Sequence, residues 1–561
     1  MVCKGNIIKK ILYVSVSLLI TVSVYPQSER VEVTNPIYDF LDRLYIKGVI
    51  KKYSSMSYPL SRGEITKIIN HLDTVRYQLN DLENGTLDDL LVEFEYDLYK
   101  TGYNRAELFG RGKFFSNLSA LCSSKERFLY VYHDNVNTFF SNALVNFKGI
   151  YGDGDDYTGS ASLAQWGFKA RGTMWRHLGY GFSATNGQVI GSKDIALNED
   201  YLVNNYKIHE TDAKNFDFTE GYLSYDDDGS YSLQIGRQKV IFGNGYDEVL
   251  GISSVNAMDF IKFETSFGPF SYTFMHNWLL AKERFIYPDE FREQRVIPPK
   301  YLALHRFGIS LFNYSLDIGF SEMVVYSNRP AEIAYMTPLI FYKSVEHSLQ
   351  DRDNAIIQFD ASARLFKRLK LYGTFVIDDI DFAKLNTNYW GNMFAYQAGF
   401  YLLEPIPFEN FDIYAEYTKI LPYTFTHRIP DNNYTNYNSY IGAAMEPNSD
   451  KVRFAVTYGV NSNLSFEFGA NYSRHGNNIY CEWGNVLRNV GGNINLGHRL
   501  GDSETVKFLD GDVEKALSFD ANMNYEIFNT IFLELNYSYN TAKFLETNQQ
   551  HEFNFIIYIN Y

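Results

Sequence analysis

The sequence predicts an all-β transmembrane protein, an antiparallel outer-membrane β-barrel of about 16–18 strands that carries an N-terminal periplasmic α-helical bundle. Three observations point there. Aromatic residues make up 17% of the chain and charged residues only 21%, with mildly negative mean hydropathy. A barrel shows aromatics at both membrane interfaces and alternates apolar-out with polar-in, which keeps mean hydropathy low. The hydrophobic repeat changes from helical to alternating near residue 106 and stays alternating to the end. Finally, Phe553, Phe555, Ile557, Ile559 and Tyr561 alternate with more polar neighbours, and the last residue is aromatic. Such a strand is what the outer-membrane insertion machinery reads.

Residues 1–27 read as a signal peptide. Lys4, Lys9 and Lys10 precede an uncharged stretch from Ile11 to Val24, and polarity returns at Gln27, Ser28, Glu29 and Arg30. The stretch is shorter than the about 20 residues a spanning helix needs, and no later apolar run is longer. Tyr25 and Pro26 match poorly the small residues expected before a cut, and Cys3 leaves with the leader. Removing 1–27 leaves 48 Lys and Arg against 66 Asp and Glu, a net charge of −18. An acidic surface of this size disfavours nucleic acid as a partner. Cys122 and Cys481 remain, too few for a disulfide-stapled scaffold; both a single bridge and two free thiols fit the sequence.

Residues 28–105 read as the helical bundle. Asn35–Pro36 opens a helix with Ile37, Phe40, Leu41 and Leu44 on one face, stopped by Gly48. Ser61 and Glu64 make a capping box for a second helix with Ile65, Ile68, Ile69 and Leu72. Leu87, Leu90, Leu91, Phe94 and Leu98 mark a third, entered through Thr86 and Asp89. The bundle is expected either to stand beside the barrel with no chemistry of its own or to close its periplasmic mouth.

Residues 106–561 read as the barrel. Ile531, Leu533, Leu535, Tyr537 and Tyr539 alternate with Phe532, Glu534, Asn536 and Ser538; Leu464–Tyr472 and Val452–Tyr458 repeat the pattern. Each fits a tilted spanning strand of about 9 residues. Tyr225–Ser230 reads as a tight hairpin turn, and Asp226, Asp227 and Asp228 lack the spacing and closing Glu of a calcium loop. Polar stretches near 186–216, 281–300, 326–352 and 475–515 are too long for turns and should be extracellular loops or segments folded inward. A barrel this wide has room for water or a plug.

Several runs resemble the capsule assembly Wzi family of outer-membrane proteins. N-P-I-Y-D-F-L-D-R-L-Y-I-K-G (35–48) and Y-P-L-S-R-G-E-I (58–65) lie in the helical part. I-G-R-Q-K-V-I-F-G-N-G (235–245), H-R-F-G-I-S-L-F (305–312), G-F-S-E-M-V-V-Y (319–326), T-P-L-I-F-Y-K-S-V-E-H (337–347), D-N-A-I-I (353–357) and Y-G-T-F-V-I-D-D-I (372–380) follow in the family's order. Beyond about residue 390 only generic strand pattern is visible. The resemblance implies a non-catalytic barrel of about 18 strands that acts as a lectin-like attachment point for capsular or exported polysaccharide. It transfers no sugar-contacting residue.

Candidate ligand contacts come from the residues themselves. Arg237 and Arg306 flank alternating segments and are expected to project into the lumen, where a guanidinium can bind a carboxylated sugar bidentately. Glu322, Asp259 and Glu264 are candidate luminal partners, and an internal salt-bridge network is the competing reading. Asp378, Asp379 and Asp381 resemble a glycosidase acid cluster. Consecutive strand residues face opposite ways, however, so Asp378 and Asp379 read better as strand-end acids. His276, His305 and His347 lack metal-ligand spacing, and no cofactor or metal is expected. The five tryptophans, Trp166, Trp175, Trp278, Trp390 and Trp483, suit interface anchoring more than sugar stacking. The function expected is attachment of polysaccharide by a monomer in contact with outer-membrane lipid. An oligosaccharide channel and a membrane-embedded hydrolase of glycans or lipids are the rivals.

Overall fold

The computed structural model describes residues 27–560 except 54, 110–124, 228–229, 254, 290–291, 406–407 and 544–546. The expectations for the signal segment up to residue 26, for Cys122 and hence its pairing with Cys481, and for the terminal Tyr561 fall on residues outside that set.

Eighteen antiparallel strands close into a barrel, at the upper end of the expected range. They are β1 (Thr138–Gly154), β2 (Gly159–Met174), β3 (Leu178–Gly191), β4 (Asn215–Asp226), β5 (Tyr231–Gln238) and β6 (Met258–Phe267). Next come β7 (Phe270–Leu280), β8 (Pro299–Leu311), β9 (Leu316–Ser327), β10 (Asn354–Leu365), β11 (Leu369–Asp379) and β12 (Met393–Leu403). The wall ends with β13 (Phe411–Ile420), β14 (Ser449–Asn461), β15 (Leu464–Asn477), β16 (Asp512–Phe528), β17 (Ile531–Lys543) and β18 (Thr547–Asn560). β18 pairs with β1 from Gln550↔Gly154 to Asn560↔Leu144 and removes the free edge. A short strand, Tyr130–His133, takes the remaining edge of β1 at Thr138–Ser141.

Alternation sorts the side chains as the sequence implies. On β17 and β18 the apolar series Ile531–Tyr539 and Phe553–Ile559 stand on one face, paired across the register. Exposed Val145, Phe147 and Tyr151 of β1 continue that face. The strands run from 8 to 17 residues rather than about 9, because several continue beyond the apolar belt. One barrel end has short turns. The other carries long connections at 192–214, 281–298, 328–353 and 478–511, close to the four polar stretches. Among the described residues no helix is long and apolar enough to cross a membrane.

The helical head comprises α1 (Ile37–Lys47), α2 (Arg62–Thr74), α3 (Asp81–Glu93) and the short α4 (Glu95–Tyr99). α1 ends as expected at Gly48, whose φ of 77° lets its N–H reach the carbonyls of Leu44 and Tyr45. α2 opens on the Ser61–Glu64 capping box. The third helix starts earlier than the sequence reading placed it: a second capping box, Asn80 with Glu83, begins α3 at Asp81. Thr86 lies inside the helix and donates back to the carbonyl of Leu82.

The head sits in the short-turn mouth, against inward side chains at the strand ends. Arg43 Nε donates to Glu83 Oε1 at 2.9 Å, and the guanidinium also pairs with Asp412 at the start of β13 and with Glu404. Lys370 on β11 pairs with Asp42 at 2.9 Å. Arg364 on β10 donates to the carbonyls of Tyr45 and Ile50.

The principal apolar core lies inside the barrel. After β5 the chain leaves the wall at Lys239 and crosses the lumen through residue 257, where Val240, Phe242, Leu250 and Ile252 are buried. Gly245 permits the tight bend there, since a Cβ would stand 1.8 Å from the Glu248 carbonyl. The connection after β13 folds in from the long-loop end and adds Phe425, Tyr434 and Ile441 to the same core. His427 lies in this connection, and its Nδ1 accepts the Ile429 N–H at 3.1 Å. Burial lowers its pKa from the ordinary 6.5 to about 4. A lowered folded-state value means that the unfolded chain binds the extra proton between pH 6.5 and 4, so stability falls as pH falls through that window. Protection factors of residues 421–434, corrected for the intrinsic slowing of amide exchange in acid, should fall from pH 7 to pH 4.5 in the parent and change far less in His427→Gln. An equal fall in both would remove His427 as the cause.

Candidate functional site

Strand parity decides where each candidate lies. Arg306 shares its face with Gly308 and Ser310 and points inward, as expected. It forms a fork on Asp360, Nε to Oδ2 at 3.0 Å and Nη2 to Oδ1 at 2.7 Å, and also pairs with Asp317. This guanidinium ties β8, β9 and β10 together, as in the salt-bridge reading.

Arg237 and Glu322 were expected in the lumen and are found on the outward face. Arg237 shares parity with exposed Leu233 and Ile235, and its Nη1 donates to Asp259 across the β5–β6 pair at 3.0 Å. Both partners of that pair are about half exposed. Asp259 is therefore also outward, whereas Glu264 faces inward beside buried Lys262 at 3.0 Å. Glu322 shares parity with Phe320 and Ile318, the latter exposed. Asp378 is inward and buried, accepting the Phe425 N–H at 2.6 Å. Asp379 is exposed on the opposite face. The two carboxyls thus do not meet, in keeping with their reading as strand-end acids.

Glu322 belongs to an outer platform that sequence reasoning did not foresee. The connection 328–353 folds down the outside of β7–β10, pinned where it leaves and re-enters the wall by Arg329 and Asp353 at 2.6 and 2.8 Å. Its helix, Tyr342–Ser348, directs the N–H groups of Tyr342 and Lys343 at Glu322, at 3.1 and 3.3 Å. His305 Nε2 is 2.9 Å from the same carboxylate, and its ring stacks on Tyr342 at 4.3 Å. His276 lies nearby, 2.7 Å from the Tyr326 hydroxyl. The histidines thus serve this platform. His347, read as isolated, has ligand atoms within 4.8 Å of those of Glu346 and Asp351, but His347 and Asp351 are exposed. Of the tryptophans, Trp166 and Trp175 are exposed outward, and Trp390 stacks on His498 at 3.9 Å.

A cavity of about 1040 Å³ lies where β5 stops short. Its inner wall carries Asn146, Gln165, Ser183, Thr185, Glu220 and Tyr558, all facing the lumen. Gln165 and Thr185 hydrogen-bond across it at 2.7 Å. Tyr201 and Phe218, packed together at 5.9 Å, add aromatic surface. Amides, hydroxyls and one carboxylate beside aromatic rings match the hydrogen-bonding edges and apolar faces of sugars.

Eighteen closed strands, an apolar outer belt and an apolar core held inside the wall define an outer-membrane β-barrel. The family model for capsule assembly protein Wzi matches residues 138–555, the barrel wall almost from end to end. The chain belongs to the Wzi capsule assembly family. Its fold is similar to that of Wzi of Escherichia coli, an outer-membrane protein involved in group 1 capsule assembly and described as a carbohydrate-binding β-barrel. The two chains are 13% identical over 94% of this chain and 99% of that one, with a TM-score of 0.55. Looser similarity extends to OccK3 (OpdO) of Pseudomonas aeruginosa, 11% identical over 75% of this chain and 95% of that one, with a TM-score of 0.38. OccK2 (OpdF) of the same organism, in complex with glucuronate, is 7% identical over 75% and 98%, with a TM-score of 0.40. No curated protein matches the chain.

Proposed function

We propose that this protein is a non-enzymatic, lectin-like barrel of the outer membrane that holds capsular or exported polysaccharide at the cell surface. The helical head would then lie on the periplasmic side, and the long connections outside. The observation that carries the reading is the polar, aromatic-lined cavity of about 1040 Å³ beside the apolar core inside the barrel. Gln165 and Glu220 supply hydrogen bonds, and Tyr201 supplies ring contact. Weak contacts of this kind, repeated along a polymer by many barrels, hold a chain without a tight single site. The filled core argues against an open channel, and the separated Asp378 and Asp379 argue against a hydrolase centred on them.

The test is retention of surface polysaccharide by a deletion strain that carries the parent or a variant. The parent should restore retention. Gln165→Ala combined with Glu220→Ala should lower polysaccharide affinity of the purified protein about ten-fold, the effect of losing roughly 1.4 kcal/mol of contact. Equal retention in the deletion strain and its parent would defeat the proposal.

A further inference from the structure

We propose that the cavity opens sideways through the barrel wall and takes the saccharide head of a lipid-linked glycan whose acyl chains stay in the surrounding membrane. The inference rests on the proposed function and names the class of glycan.

The wall is incomplete at this point. β4 runs from Asn215 to Asp226, but β5 pairs only with Gly221–Asp226 before turning inward at Lys239. Residues 215–220 of β4 keep their partners in β3 and have no strand on the other side. Across the gap β6 begins only at Met258, opposite Gln238. The result is a window several residues tall. Its upper edge is bridged where Asn204 Nδ2 donates to the Asn436 carbonyl at 2.9 Å and the Ser439 hydroxyl at 2.8 Å.

One cavity touches both faces of the wall through this window. Gln165, Thr185 and Glu220 line it from the lumen, whereas Thr219, Asp259 and Trp278 line it from the outward face. A luminal pocket entered only from the barrel end would expose inward residues alone. The chemistry changes along the same path. The inner part is amide, hydroxyl and carboxylate, whereas on the outward rim Phe182, Trp278 and Leu280 stand among Asp217, Thr219, Arg237 and Asp259. A ligand that satisfies both parts has sugars at one end and hydrocarbon at the other. Of the lining cations, Arg237 pairs with Asp259 at 3.0 Å and Lys207 with Asp217 at 3.5 Å, and Lys239 stands beside Glu220. The rim therefore suits a saccharide head better than an isolated phosphate.

The full-length protein in nanodiscs containing rough lipopolysaccharide, with a photo-crosslinking residue at Leu144, which lines the cavity from the lumen, tests this. The same residue at Ser538, inward on β17 and outside the cavity lining, is the control. Lipopolysaccharide adducts should exceed the control about ten-fold and fall by a similar factor when Thr219→Trp narrows the window, a change of roughly 1.4 kcal/mol in occupancy. Thr219 is exposed, so the variant should fold, and Phe468→Trp on the opposite outer wall controls for added bulk. Lipid-free core oligosaccharide is offered separately. If it labels position 144 as well as lipopolysaccharide does, and Thr219→Trp changes neither, the sideways entry is overturned while saccharide binding stands. If neither labels position 144 above the control, saccharide binding at this cavity is overturned too.

Discussion

Replacing Arg43 with alanine is expected to release the helical head from the barrel mouth. The guanidinium is the shared partner of Glu83, Glu404 and Asp412, and Glu83 and Asp412 have side chains exposed by 0 and 5%. Lys47, 2.6 Å from Glu83 and 3.2 Å from Glu404, is the other cation in the cluster. Without Arg43, one lysine faces three carboxylates, two of them cut off from water. Breaking a buried ion pair by removing one partner costs about 3–5 kcal/mol, a factor of roughly a hundred to several thousand in the docked population. The rest of the head should survive, because the capping box at Ser61 and the apolar contacts among its helices do not involve Arg43, although Glu83 of the Asn80 box loses one partner. Arg43→Ala should therefore expose the 48–60 linker to protease while leaving the barrel resistant. Parent-like cleavage would show that the apolar contacts alone hold the head.

The sequence revealed this head, but not its docking. Local signals such as the Ser61–Glu64 box and Gly48 act within one turn of helix, so they are readable without knowing the fold. Asp412 is more than 300 residues from Arg43, and only barrel closure brings them together. In the wall, alternation was legible because one face meets apolar surroundings and the other polar ones. The direction of each polar residue was legible too, though only by counting parity from its neighbours. Arg237 keeps step with Leu233 and Ile235, and Glu322 with Phe320 and Val324, which assigns both to the outward face. Chemical type suggested the lumen instead, because a charge facing the membrane is costly unless something covers or pairs it. For Glu322 that cover is the 328–353 connection, and for Arg237 the pairing is Asp259 on the next strand. Neither is a local property. The window escaped notice for the same reason: the family-like run 235–245 marks where β5 leaves the wall, yet its residues read as an ordinary strand and turn.

Glu322→Ala should produce the second large effect, detachment of the outer platform. Glu322 accepts the Tyr342 and Lys343 N–H groups at the start of a helix, where a carboxylate also meets the positive end of the dipole. It is the partner of His305 Nε2, and both side chains are buried, at 6 and 1% exposure. Alanine at this position leaves two amides and an imidazole nitrogen without their acceptor under a cover that admits little water. A loss of about 2–4 kcal/mol follows from one charge-assisted hydrogen bond and two unsatisfied donors. Glu322→Gln, which keeps one acceptor oxygen, should lose less. The expected readout is faster exchange of the amides from 337 to 348 and new cleavage after Lys343, with cleavage in the helical head unchanged. The connection also exposes Ile333, Leu339 and Phe341 by 80, 78 and 65%, on a segment fastened to the outer wall of the barrel. Apolar side chains there gain if hydrocarbon surrounds them and lose in water. Detachment should accordingly be larger in a short-chain detergent than in a nanodisc. If exchange in Glu322→Ala matched the parent in both, the Arg329–Asp353 clasp and the aromatic packing would be sufficient, and Glu322 would be a passenger under the platform rather than its latch.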